Sequence, residues 1–366
     1  MHKVTTILGT RPEITKLSPV LPRFDDIFDH RVIHTGQHYD YEMDGVFFEQ
    51  LRLRPPEVSL AAGRRGLSHG RQTAEMMIGI EEILLDDRPD AVVVFADPNT
   101  PLAGALVASK IAIPLVHMEA GCRSGNRRMP EEINRILCDH CADLLLAPDD
   151  IARANLQREG IDESRVRVVG STAIEASRRN FALTGSLSAH GFQDLDIRQY
   201  AVLTLHRAEN TDDPGRLRAM LESIDQCAAE YPILLPLHPR TRQRMLVIGY
   251  RPRHIRVVPP QGYLEFLALL GNSSFVLTDS GGIQEEAAAL SVPCLVLRNE
   301  TEWRYLTDIR KNLLVGTQSR QIRSAIESVL GDSKVLENMR AVQLPGECPA
   351  STRIVKEVQE WLNTHV

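Results

Sequence analysis

Ser280, Gly281 and Gly282 close a short apolar run and open a helical one in Leu277-Thr278-Asp279-Ser280-Gly281-Gly282-Ile283-Gln284-Glu285-Glu286. Three small residues leave a helix mouth without bulk, so its unpaired N–H groups can face an anion such as a pyrophosphate. Glu286 stands four residues past Gly282, about one turn in. A carboxylate there can accept hydrogen bonds from ribose hydroxyls. Anion cradle and diol acceptor outline a nucleotide-diphosphate site; the competing reading is a helix start whose glycine pair serves packing.

Other chemistry-bearing residues stand where apolar runs end. Gly9-Thr10-Arg11-Pro12-Glu13-Ile14-Thr15-Lys16 follows the first run, with Pro12 suited to a first helical turn and Arg11 and Lys16 able to reach an anion. Asp97 and Glu119 each follow a further run, and Glu131 opens a helical stretch at Pro130-Glu131-Glu132-Ile133-Asn134-Arg135. Three carboxylates at one sheet edge would repel and raise some of their pKa values toward acid–base duty. The alternative for each is a cap, a dipole-compensating acid or a salt-bridge partner. Glu132 points about 100° away from Glu131 around a helix and reads as a structural pairing residue. His206-Arg207 and His238-Pro239-Arg240 end two more runs, and such pairs suit a phosphate-binding wall.

The elements that must position these residues alternate. Apolar, β-branched runs fall at 4–8, 31–35, 91–95, 114–118, 144–147 and 166–169, then again at 201–205, 233–237, 255–258, 275–278, 294–297 and 313–315. Segments long enough for crossover helices separate them, including 12–24, 70–85, 100–112, 130–142 and 214–230. The pattern predicts α/β architecture with parallel sheets, and ligands of such sheets bind outside the carboxyl ends of the strands. At 366 residues two domains are expected: 1–170, then 171–350, with a terminal helix at 351–366 returning to the first.

A net charge of −6 supplies no broad basic field, which argues against nucleic acid and acidic membranes as partners. No apolar run has membrane-spanning length, and the strand-like start has no signal-peptide pattern. Six cysteines make no disulfide framework at this length. Cys138 and Cys141 read as buried helical thiols, since a structural zinc wants four ligands. A reduced cytoplasmic protein without metal is expected.

The ordered set Gly9–Glu13, Glu119-Ala120-Gly121, Pro130–Arg135, His206-Arg207-Ala208-Glu209-Asn210 and Thr278–Glu286 resembles the non-hydrolysing UDP-N-acetylglucosamine 2-epimerases over nearly the whole chain. The resemblance implies two Rossmann-like domains in a GT-B arrangement, an active site in the interdomain cleft, a homodimer and no added redox cofactor. It implies a UDP-sugar substrate whose C2 proton is removed while UDP leaves C1, giving a 2-acetamidoglucal, before UDP and a proton return.

Carried over, Asp97, Glu119 and Glu131 match the family's acid–base positions, and Arg11, Lys16 and His206 match positions around the diphosphate. Ser280 and Gly281, with Gly282, match the phosphate turn, and Glu286 the ribose contact. Arg135 and His238 complete the expected substrate contacts. Gln37-His38 resembles part of the family's allosteric substrate site.

Three features differ from the family pattern: Pro98 after the acid, Glu302-Trp303-Arg304-Tyr305 after Thr301, and a short Cys122–Met129 loop. The last two keep a modified sugar, such as a 2,3-diacetamido uronic acid, open as the alternative to UDP-GlcNAc. A hydrolysing relative, a GT-B glycosyltransferase and a non-catalytic sensor are the remaining rivals.

Overall fold

The computed structural model describes residues 1–37, 41–60, 62, 67–190, 192, 194–344 and 349–366. The chain divides into two compact units, Met1–Ala176 with Gly346–Val366, and Ser177–Pro345.

The first unit is built on seven parallel strands: β1 (Lys3–Leu8), β2 (Asp29–His34), β3 (Val58–Ser59), β4 (Ala91–Phe95), β5 (Leu115–Met118), β6 (Leu144–Ala147) and β7 (Val166–Val168). Their order is β3-β2-β1-β4-β5-β6-β7. The second has six: β8 (Ala201–Thr204), β9 (Ile233–Pro236), β10 (Arg256–Val258), β11 (Phe275–Thr278), β12 (Cys294–Val296) and β13 (Asn312–Leu314), ordered β10-β9-β8-β11-β12-β13.

Each order reverses at one place, between β1 and β4 and between β8 and β11. Such a switch point leaves a crevice at the carboxyl ends of the two strands. Residues just after Leu8, Phe95, Thr204 and Thr278 therefore sit where a ligand is most easily taken.

Continuous apolar runs are what a parallel sheet covered on both faces requires. In β8 and β11, Leu203 and Leu277 join one core cluster, whereas Val202 and Val276 join another. The two-residue period of a strand sends neighbours to opposite faces, and helices cover both. In the first unit Ile7, Val92, Val94, Leu115 and Leu145 form a core with Met76, Ile80 and Leu84 of helix His69–Asp86. Helix Ala350–His365 buries Ile354, Val358 and Leu362, and its Ser351 N–H and hydroxyl bond Glu175 of the same unit.

Two expectations need correcting. The stretch 12–24 is not one helix but two, Arg11–Leu17 and Leu21–Ile27. Pro19 and Pro22 supply no N–H and break the run, and Pro22 then suits the start of the second helix. The edge strand β3 went unpredicted because two residues carry no readable alternation. No helix among the described residues is long and apolar enough to cross a membrane.

Candidate active site

In the first unit the site begins at the β1–β4 switch point. β1 runs into Gly9-Thr10, and the Gly9 N–H and Thr10 hydroxyl both donate to Glu13 Oε2, at 3.1 and 2.8 Å. Glu13 is buried and its Oε1 has no hydrogen-bond partner among the described residues. Burial pushes its pKa up to about 8 against those two hydrogen bonds, and the charge of Asp97 adds to the rise. Helix Arg11–Leu17 then places Arg11 over the Phe47 ring, 5.5 Å from its centroid, and Lys16 Nζ 2.8 Å from Glu119 Oε2.

Asp97 and Glu119 follow the adjacent strands β4 and β5 through unusual backbone. Ala96 and Glu119 adopt left-handed conformations with φ of 60° and 63°, and Gly121 follows at 79°. For residues with a Cβ this costs on the order of 1–3 kcal/mol and persists only where the surroundings over-determine it. The next helix, Pro130–Cys141, supplies that constraint. Asn134 Nδ2 donates to the carbonyls of Asp97 and Pro98 at 2.9 and 3.2 Å, and Arg135 forms an ion pair with the Asp97 carboxylate.

Two carboxylates therefore have separate cations, Arg135 for Asp97 and Lys16 for Glu119. Burial nonetheless holds the Asp97 carboxyl above its ordinary value; Arg135 opposes this, and the charges of Glu119 and Glu131 reinforce it. Glu132 is a structural tie: it accepts from the N–H groups of Ser124 and Gly125 at 3.0 and 2.8 Å and pairs with Arg135 at 2.7 Å.

In the second unit the β8–β11 switch point gathers the other candidates around Asp279, which is fully buried. Its carboxylate accepts from the His206 and Arg207 N–H groups at 3.1 and 3.0 Å and from Asn210 Nδ2 at 3.2 Å. His206 Nδ1 also lies 3.3 Å from Asp279, and the His206 and His238 rings lie 5.4 Å apart between centroids. Burial lowers the His206 pKa, Asp279 counters, and His238 and Arg207 push it further down. His238 caps helix Pro239–Val247, its Nδ1 accepting from Arg240 N–H at 3.2 Å.

Ser280 precedes helix Gly281–Ala289 with extended backbone, and its N–H donates to Thr278 Oγ1 at 2.9 Å. Gly282 opens onto free space, whereas a Cβ on Gly281 would lie 2.4 Å from Glu302 Oε1. Glu302 bonds Arg207 at 3.2 Å and Arg298 at 2.6 Å, so the segment that departs from the family pattern packs at the mouth of this helix. Glu286, one turn in, faces Tyr263, whose hydroxyl is driven up by burial and then by that carboxylate.

Gln37 is buried beside the cluster of the first unit. Its side-chain oxygen accepts from Thr100 N–H and Oγ1, both at 2.9 Å, at the start of helix Asn99–Lys110. His38 lies outside the described residues. Cys138 is buried in its helix and burial pushes its thiol up. Among the described residues no three metal-ligating side chains gather.

Reading the sequence missed Glu13, His117, Asp139, Asp279 and Arg298. An acid directly after a buried strand was a usable signal for Asp279; Glu13 looks like any acid in a first helical turn.

Two parallel-sheet α/β units, each with charged and small polar residues at its switch point, define a protein of the GT-B-like two-domain class. A family model described as UDP-N-acetylglucosamine 2-epimerase matches residues 23–359. The chain belongs to this family. It is 44% identical over 347 residues to the UDP-N-acetylglucosamine 2-epimerase of Methanocaldococcus jannaschii, covering 92% of this chain and 94% of that one. It is 40% identical to the UDP-2,3-diacetamido-2,3-dideoxy-D-glucuronate 2-epimerase of Pseudomonas aeruginosa, over 97% and 98% of the two chains. The crystal structure of the M. jannaschii enzyme in complex with UDP-GlcNAc and UDP superposes with a TM-score of 0.85 at 42% identity, covering 98% of this chain and 99% of that one.

Proposed function

We propose that this protein interconverts UDP-GlcNAc and UDP-ManNAc by non-hydrolysing 2-epimerisation. A carboxylate of the first unit takes the C2 proton, the C1–O bond breaks with its electron pair leaving on UDP, and a C1=C2 double bond forms. The reverse sequence, with the proton delivered to the opposite face, completes the inversion. The observation that carries this reading is the half-buried Asp97 carboxyl, paired with Arg135, held above its ordinary pKa by desolvation and by the charges of Glu119 and Glu131, at a strained strand exit. An acid poised above its usual range is suited to both taking and returning a proton.

Because the C2 proton is weakly acidic, stabilisation of the departing diphosphate must lower much of the barrier. Arg11, Lys16, His206 and His238 are assigned to that task, with the N–H groups at Ser280, Gly281 and Gly282. Glu286 is assigned to the ribose and Arg135 to holding Asp97. Family resemblance supports a cytoplasmic homodimer feeding polysaccharide synthesis. Similarity to the P. aeruginosa enzyme favours a diacetamido uronic acid as the second substrate reading.

The test is incubation in heavy water with a panel of UDP-sugars, followed by NMR. Deuterium at C2 and formation of UDP-ManNAc from UDP-GlcNAc are expected. Exchange confined to the diacetamido sugar selects the second reading, and no exchange on any member rejects both.

A further inference from the structure

We propose that the buried His117–Asp139 pair is a positioning element that sets the Asp97 and Glu119 turns on a common base; the proposal rests on the epimerase reading. His117 stands in β5 among Leu115, Val116 and Met118, two residues before Glu119. Its side chain and that of Asp139 are fully shielded from solvent. Nδ1 lies 2.6 Å from Asp139 Oδ1, and Nε2 lies 3.0 Å from the carbonyl oxygen of Ala96. Both partners are acceptors, so the ring donates from both nitrogens and is held as imidazolium. The second oxygen of Asp139 accepts the Gly121 N–H at 3.1 Å and Arg123 Nη2 at 2.6 Å, and Arg123 is anchored on Glu159 at 2.7 Å. Burial works against ionisation of Asp139, but His117 and Arg123 prevail and hold its carboxyl below the usual range.

The two backbone groups gripped here are the ones that aim the carboxylates. The Ala96 carbonyl belongs to the left-handed residue directly before Asp97, and the Gly121 N–H lies two residues past the left-handed Glu119. Replacing a buried ion pair with apolar residues is often neutral or stabilising, so stability alone does not account for this one. Helix Pro130–Cys141 presents Glu131, Arg135 and Asp139 at intervals of four residues. One helical face therefore carries a carboxylate, the cation on Asp97 and the anchor of His117.

The test compares wild type with the near-isosteric variants Asp139→Asn and His117→Gln. Turnover by C2 exchange is expected to fall about 100-fold, the scale of a small misplacement of reacting groups. KM and UDP affinity by calorimetry are expected to stay within about threefold, since ground-state binding is untouched. The 15N spectrum of wild type should show two protonated ring nitrogens at His117. Unchanged turnover in both variants overturns the proposal, as does a parallel loss of turnover, UDP affinity and melting temperature. If a variant fails to fold, the wild-type spectrum decides, and one unprotonated His117 nitrogen overturns it. A wild type without exchange rejects the epimerase reading, while the ring spectrum still tests the clamp.

Discussion

Asp97, half-buried, and Glu13, buried, are acids near one switch point with different surroundings. Asp97 has a cation, Arg135, and feels the charges of two carboxylates, the setting that the proposed proton transfer requires. Asp97→Asn should cut C2 exchange by about 10²-fold or more while UDP binding by calorimetry persists; near-normal exchange in this variant would refute the role. Glu13, held neutral by burial, keeps its proton to about pH 8, whereas the unfolded chain loses it near 4.5. Between those values the folded state binds the extra proton, so stability falls as pH rises through the window and levels off above it. Glu13→Gln fixes the neutral form. Its melting temperature should exceed that of wild type by a margin that grows from about pH 5 to about pH 8. A margin independent of pH would show that Glu13 is ionised in the fold.

Strand exits and helix mouths divide the work between elements. The β5 exit is built with no slack: Gly121 has φ 79°, and a Cβ there would meet the Ala152 carbonyl oxygen at 2.3 Å. Backbone cannot swing aside as a side chain can. Gly121→Ala should therefore cost roughly 2–4 kcal/mol by combined strain and overpacking, read as a lower melting temperature. The mouth of helix Gly281–Ala289 is the opposite case, because Gly282 has open space around it. Gly282→Ala should leave stability within about 0.5 kcal/mol. It should weaken UDP binding measured by calorimetry, since a methyl group intrudes on the anion's approach to the N–H groups. Equal UDP affinity would remove this helix mouth from the phosphate site.

For the molecule as a whole, the first unit is discontinuous in sequence, since the chain leaves it, builds the second sheet and returns. The returning helix buries Ile354, Val358 and Leu362 almost completely. Burial of three such side chains is worth about 5–9 kcal/mol, comparable with the roughly 5–15 kcal/mol of a typical fold. Truncation before Ala350 should thus leave the protein largely insoluble or melting far lower, although every candidate site residue remains. A soluble, fully active truncation would show that the helix is dispensable.

Composition, periodicity and motif order were enough to establish much of this protein. Buried parallel strands must be apolar throughout, so β4, β6, β8 and β11 stand out against the helices between them. Polar residues just after such strands mark the carboxyl edges of the sheets, which is why Asp97, Glu119, His206 and Ser280 could be singled out as candidates from their positions. Only the tertiary structure decided which charges pair. Arg135 on Asp97, Lys16 on Glu119 and Asp279 beneath His206 join residues far apart in sequence, and no local pattern records a contact made across a sheet edge. His117 shows the limit best: within an apolar strand it reads as an interruption, and its meaning arises only when folding brings Asp139 and the Ala96 carbonyl to its two nitrogens.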